Sequence, residues 1–361
     1  MLYLACWTIW VLNLKISDLM TLVSDLLRAR KKRSYFLVFF LSLALILLVT
    51  FLTYENKTLN FKGEVMGTSY KVILVDFEDS SIEKDIFNVL NSVNLEMSTY
   101  INSSSISYLN ATNINEWINV SNNFIEVALF SQETCLSTGG SFDISVGHLV
   151  NYYGFGPPEL SNSYDTGLLE GLKKEVNCFS FEVDPKEKRI KRTQNVYLDM
   201  SAVAKGYAID LLSKYLDSKS INSYLIELGG EVKFKGHKSS SEPWVVGIEN
   251  PGSINTPLIT LSSRDNKDLS LATSGEYRNF KNKDGLIVSH TIDPSTFKPL
   301  KKKHVSVSVL AENTMKADAL ATALNVMGPD QGLKYSNIHK IRTVYILKEN
   351  ENYIVKTSKW F

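Results

Sequence analysis

The sequence predicts one mixed α/β domain, residues 61–361, behind a single membrane-spanning helix. Three observations carry this reading. Beyond residue 60, segments of helical and of alternating apolar spacing intermix, and no fixed-period repeat groups them. A hydrophobic content of 44% over 361 residues suffices for a large core. Near the N-terminus, an uncharged apolar run stands apart from everything that follows.

That run covers residues 36–53, and at helical rise its eighteen residues span about 27 Å, the thickness of a bilayer core. Tyr35 and Tyr54 flank it, where interfacial aromatics belong. Arg28, Arg30, Lys31, Lys32 and Arg33 precede it, so the positive-inside rule places residues 1–34 in the cytoplasm and the remainder outside. No small-x-small cleavage site follows and no cysteine ends the run, so the segment at 35–54 is expected to stay as an anchor. Met20 is the expected start of translation, because it opens a short basic segment ahead of the span. Residues 55–60 read as a polar linker.

Within the domain, 62–75 alternates as strand, interrupted at Met66-Gly67-Thr68. Helical spacing follows at 82–95 and 124–136, with a Ser- and Asn-rich loop between them and Gly139-Gly140 after the second helix. A short strand at 196–198 leads into a helix from Ser201 to about Leu216. Strands are expected at 223–228, 232–235, 244–248, 269–272 and 305–310, then a helix carrying Asp318, then a closing hairpin at 342–348 and 353–356. Cys135 and Cys178 could pair in an exported domain, but their spacing requires nothing, and they read as buried small hydrophobes.

Net charge is +1, which exerts no global pull toward nucleic acid. Glycine-rich dinucleotide and P-loop motifs, a nucleophile elbow and a His/Cys zinc cluster are all absent. The chemistry must come from scattered polar residues. Asp318 and Thr322 lie at i and i+4 of a helix otherwise rich in Ala and Leu, so both project from one face. Such a pair suits a hard cation such as Mg²⁺, and equally suits a core helix whose Asp makes a cap or an ion pair. Asp199 and Lys205 bracket a predicted helix start, a place where free N–H groups attract phosphate; the plain alternatives are an N-cap and a surface lysine. Gly229-Gly230-Glu231 and Thr273-Ser274-Gly275-Glu276-Tyr277 are turns that would let backbone approach a ligand. His290, one of five histidines, stands beside an Asp-Pro turn and is suited to accept a proton or simply to bond backbone.

In this order, these segments resemble the FAD:protein FMN transferase family, the ApbE-type flavin transferases, from Gly63 to Gly328. The likeness also includes Met97-Ser98-Thr99-Tyr100 and Gly140-Ser141-Phe142-Asp143 continuing to Gly154-Phe155-Gly156-Pro157. It implies an ApbE-like (T-fold-like) catalytic domain that moves FMN from FAD to a Thr or Ser hydroxyl of an acceptor protein, a subunit of a membrane redox pump, and releases AMP. It further implies Mg²⁺ bound by Asp318, Thr322 and the Ala202 carbonyl, with FAD lined by Met66, Tyr100, Ser141, Phe142, Asp143, Asp199, Lys205 and the backbone of Ile292. His290 would be the proton acceptor. The implied location is the extracytoplasmic face of a bacterial inner membrane. Two alternatives use the same residues: a Mg²⁺-dependent FAD pyrophosphatase giving FMN and AMP, and an anchored flavin-binding protein. Three positions depart from the family pattern: Phe297 where Gly is usual, Ser105 where Glu is frequent, and Tyr153 where Trp is frequent.

Overall fold

The computed structural model describes residues 21, 24, 39–46, 57–160, 167, 170–171, 173–239, 242–253, 256–265, 268–275, 280–283, 286–300, 305–350 and 352–361. The chain divides into two units, 1–56 and 57–361. In the first, residues 39–46 are helical. The rest of the expected anchor, the basic cluster and Met20 lie outside the described residues; among those described, no helix is long and apolar enough to cross a membrane.

The second unit is built on an eight-stranded antiparallel sheet. Strands β1 (Thr58–Val65) and β2 (Thr68–Val75) form the hairpin expected at 62–75. β1 starts earlier than foreseen and takes in residues 58–60 of the supposed linker, because Thr58 to Asn60 pair with Ile73 to Val75. Helices α1 (Ile82–Met97), α2 (Ser105–Ala111), α3 (Asn122–Ser137) and α4 (Gly147–Tyr152) follow, with β3 (Ile118–Asn119) between α2 and α3. A small hairpin of β4 (Phe181–Asp184) and β5 (Arg189–Arg192), which apolar spacing did not announce, adds β3 as a third strand.

Next come α5 (Ala204–Ser218), β6 (Tyr224–Leu228), β7 (Glu231–Lys235), the hairpin β8 (Val245–Glu249) and β9 (Pro257–Ser262), and β10 (Asp268–Gly275). Two short hairpins, β11 (Phe280–Lys283) with β12 (Leu286–Ser289) and β13 (Ile292–Asp293) with β14 (Lys298–Pro299), precede β15 (Ser306–Ala311). Helix α6 (Thr314–Ile338) and the hairpin β16 (Arg342–Glu349) and β17 (Asn352–Thr357) end the chain. Pro329 follows Gly328 at φ 73°, where α6 kinks, as expected of a residue pair that cannot continue a helix smoothly.

The sheet order is β1-β2-β6-β7-β10-β15-β16-β17. The main core lies between the β1/β2/β6 end and helices α1, α3 and α5; a second packs α6 on β10, β15 and β16. The β8–β9 hairpin covers the opposite face through Trp244, Ile248 and Leu261. With both faces covered, β15 buries Ser306 to Leu310 without alternation.

Two local expectations are corrected. Residues 196–198 form no strand, only an isolated parallel bridge between Tyr197 and Val146, and the helix expected from Ser201 begins at Ala204 after a turn at 201–203. Cys135 and Cys178 are not free hydrophobes: they form a disulfide that ties the last turn of α3 to the segment before β4, across 43 residues. Sequence spacing could not show this, since only the fold brings their Cα atoms to 5.6 Å.

Candidate active site

One end of the sheet gathers the β1–β2 turn, the β6–β7 turn, the end of β10 and the start of β15, because antiparallel register sets Tyr70 against Leu228, Leu271 against Val232, and Gly275 against Ser306. Above this end the starts of α5 and α6 and the His290 segment close a cavity of about 1210 Å³, ample for a dinucleotide. Every residue proposed from the sequence reaches it: Met66, Tyr100, Ser141, Phe142, Asp143, Asp199, Ala202, Lys205, His290, Ile292, Asp318 and Thr322 all line its walls.

The first wall is made by α5 and α6. Asp318 is 5% exposed, and its Oδ2 accepts the Gly206 N–H at 3.0 Å. Had α5 started at Ser201, that N–H would have bonded the Ala202 carbonyl four residues earlier. The late start at Ala204 leaves the Ala202 carbonyl ahead of the helical ladder, in a residue that lines the cavity. Among the described residues, Asp318 accepts this hydrogen bond through Oδ2 alone, and Thr322 sits one turn further along the same face. A carboxylate oxygen, a hydroxyl and an unspent carbonyl form an all-oxygen donor set, which fits a hard divalent cation such as Mg²⁺.

Lys205 projects into the same space. Its Nζ is 3.5 Å from Glu231 Oε1 and 3.4 Å from the Ser201 carbonyl. Burial alone would push the ammonium down, but Asp318, Glu231 and Asp199 outweigh it and hold its pKa above the ordinary value. The buried Glu231 carboxyl is raised, by burial first and by Asp318, against the pull of Lys205. Three carboxyl groups gather around one ammonium, burial favours the neutral forms of Glu231 and Asp318, and a divalent cation there would favour the charged ones. Asp199 is not the helix cap: its Oδ1 accepts the Ser201 N–H and hydroxyl, which fixes the turn ahead of α5.

The second wall is more open. Met66 holds a left-handed conformation (φ 54°) at the β1–β2 turn, an uncommon state for a side chain without local hydrogen-bonding groups. Tyr100 is 58% exposed and donates its hydroxyl to the Phe155 carbonyl at 2.6 Å, so its ring stands at the cavity mouth. Asp143 accepts the Ser145 N–H and hydroxyl, and burial raises its carboxyl. Phe142 is 1% exposed and packs in the main core, so it borders the cavity from beneath rather than as an exposed platform. Asp143 also lies near Cys135 and Cys178, but those sulfurs are bonded to each other and form no metal site.

The third wall is the segment from Ser289 to Pro299. His290 faces the cavity with its ring 6.3 Å from that of Phe155, edge to face. Ile292 pairs with Pro299 and is buried. Asp293 Oδ1 accepts from Ser295 N and Oγ, and Phe297 N–H returns to the Asp293 carbonyl. Phe297 has φ 58°, a left-handed position that glycine would occupy without strain. Its carbonyl accepts from the Tyr153 hydroxyl at 3.4 Å, so two of the three departures from the family pattern meet in space. The third, Ser105, begins α2. Thr273, Ser274 and Gly275 border the cavity at the end of β10, while Glu276 and Tyr277 lie outside the described residues.

The pattern of the ApbE family matches residues 66–346, which takes in all three walls. The chain belongs to the ApbE family. It is 31% identical to the FAD:protein FMN transferase of Vibrio cholerae over 86% of this chain and 94% of that one, and 30% identical to the Haemophilus influenzae protein of the same name over 85% and 91%. Among solved structures, the flavin transferase ApbE from Vibrio cholerae superposes with a TM-score of 0.75 at 31% identity, over 85% of this chain and 99% of that chain. The mixed α/β fold is thus that of ApbE proteins.

Two residues of this site were not read from the sequence as functional. Glu231 could have been suspected as a charge next to a double glycine. Asn325 continues the Asp318, Thr322 series at i+7, is 1% exposed, and donates to Thr291 Oγ1 at 3.2 Å, tying α6 to the His290 segment.

Proposed function

We propose that this protein is an FAD:protein FMN transferase, anchored in a bacterial inner membrane with residues 57–361 on the extracytoplasmic side. The observation that carries the activity is the convergence of Lys205, Asp318, Thr322, the Ala202 carbonyl and His290 on one cavity of dinucleotide size. The anchor rests on the apolar run and the basic residues before it. A protein acceptor is in keeping with the relatives' names, and the resemblance implies that its acceptor group is a Thr or Ser hydroxyl.

The reaction joins the acceptor oxygen to the FMN phosphorus, breaks the pyrophosphate P–O bond and releases AMP. Asp318, Thr322 and the Ala202 carbonyl would hold Mg²⁺, which when bound neutralises phosphate charge in such transfers. Lys205 supplies a fixed positive charge against the phosphates, kept protonated by its carboxylate neighbours. His290 accepts the hydroxyl proton as the acceptor attacks. Tyr100 and the Met66 turn border the cavity mouth, where the flavin end would sit.

Incubation of the protein with FAD, Mg²⁺ and an acceptor, followed by denaturation, tests the proposal. Flavin that stays with the denatured acceptor supports transfer. Free FMN with no covalent flavin would make the protein a pyrophosphatase, and unchanged FAD would make it a binder. Resistance of the full chain to alkaline extraction from membranes tests the anchor.

A further inference from the structure

The ligands assigned to the cation come from two helices: the Ala202 carbonyl lies just ahead of α5, and Asp318 and Thr322 lie on α6. A cation of the Mg²⁺ type tolerates little departure from octahedral geometry at about 2.0–2.1 Å, so the register of α6 against α5 decides whether the set can close. The structure carries a device that fixes this register away from the cavity.

The first free N–H groups of α6 are all accounted for. Asn313, its N-cap, accepts the Lys316 N–H through its side chain at 2.8 Å. The Thr314 and Met315 N–H groups go to another helix: Asp210 of α5 accepts them through Oδ1 at 3.0 Å and Oδ2 at 2.8 Å. Lys233 of β7 donates to Asp210 Oδ1 at 3.2 Å and to Ser270 Oγ of β10 at 3.2 Å, and Thr314 Oγ1 donates to Ser270 Oγ. Asp210, Ser270 and Thr314 are buried. Asp210 lies one turn after Gly206 on α5, and Thr314 lies one turn before Asp318 on α6. The two helices are therefore clasped twice, one turn apart: Asp210 to the α6 N-terminus, and the Gly206 N–H to Asp318. Between the clasps Gly206 meets the Thr314 carbonyl, where a Cβ would come within 2.4 Å.

We propose that Asp210 is a positioning residue for flavin transfer, which sets cation affinity by locking α6 to α5 with Asp318 and the Ala202 carbonyl in register. It touches neither cation nor nucleotide; it acts through Asp318. This rests on the cation reading of Asp318, and the test separates the two.

The test is binding of Mn²⁺ alone, followed by the loss of its free electron paramagnetic resonance signal, on the full chain in detergent. D318A serves as the reference without a site. D210N is expected to raise the half-saturating Mn²⁺ concentration by about tenfold or more, the scale of outer-shell effects on metal sites. K233M disturbs the same buried network but leaves both N–H bonds to Asp210, so it should lower thermal stability while changing Mn²⁺ affinity less than about threefold. D210N/K233M removes the unpaired ammonium, is expected to fold, and should bind Mn²⁺ as poorly as D210N. Binding that persists in D318A would overturn the cation reading and this inference with it. Binding that requires Asp318 but is unchanged in folded D210N or D210N/K233M would overturn the inference alone, as would an equal loss in K233M.

Discussion

The α5–α6 wall and the His290 wall face the same cavity but are built on opposite terms. The first is two long helices whose polar ends are satisfied by buried partners: Asp210 caps α6, the Gly206 N–H holds Asp318, and Glu231 lies against Lys205. The second is a loop with two-residue strands, an aspartate-nucleated turn and a phenylalanine in a left-handed conformation. A side-chain hydrogen bond from Asn325 to Thr291 joins them. The contrast fits the two tasks proposed for these walls. Holding a cation and a pyrophosphate requires charges fixed against their own repulsion, which a buried, hydrogen-bonded frame supplies. A proton acceptor must meet a hydroxyl brought by another protein, and a loop at the rim leaves room for it.

The comparison breaks most decisively at Asp318. Asp318→Ala should lower metal-dependent flavin transfer by roughly 10³-fold or more, measured as covalent flavin on the acceptor. His290→Ala should cost about 10²–10⁴ in turnover while FAD binding, followed by flavin fluorescence, stays within about threefold. Equal losses of FAD binding in both variants would erase the division of labour between the walls.

Gly206→Ala tests the rigidity of the helical wall. Its Cβ would meet backbone atoms of Thr314 and Met315, so α5 and α6 must separate, with an expected loss of about 2–3 kcal/mol in denaturant unfolding. Asn325→Ala tests the link. Turnover should fall by about tenfold, the worth of one buried hydrogen bond, with Mn²⁺ affinity unaltered. Phe297→Gly has the smallest expected effect. Relief of about 1–2 kcal/mol of left-handed strain offsets the lost packing of a half-buried ring, so stability should stay within about 1 kcal/mol of the parent.

How much was legible depends on whether the signal is local. The hairpin at residues 58–75, the helices at 82–97 and 122–137, the strand at 306–311 and the closing hairpin each carry their own apolar period, and sequence spacing found them within a few residues. The β4–β5 hairpin is short and charged, with Arg189 and Lys191 over the Trp117 ring, and has no such period to read. The start of α5 was misplaced by three residues because Ser201 and Ala202 are acceptable helix residues; the preference of Gly206 N–H for Asp318 over Ala202 is a tertiary choice.

The sequence by itself determined the residue types and spacings that the cavity brings together: Asp318 and Thr322 one turn apart, Lys205 six residues after Asp199, and His290 beside Asp-Pro. These are local facts, set by covalent connectivity and helical period. Only the tertiary structure decided that Cys135 meets Cys178, that Glu231 flanks Lys205, that Asp210 caps a helix 104 residues away, and that Phe297 meets Tyr153. Such pairings depend on sheet order and helix packing over long separations, where no sequence period survives to announce them.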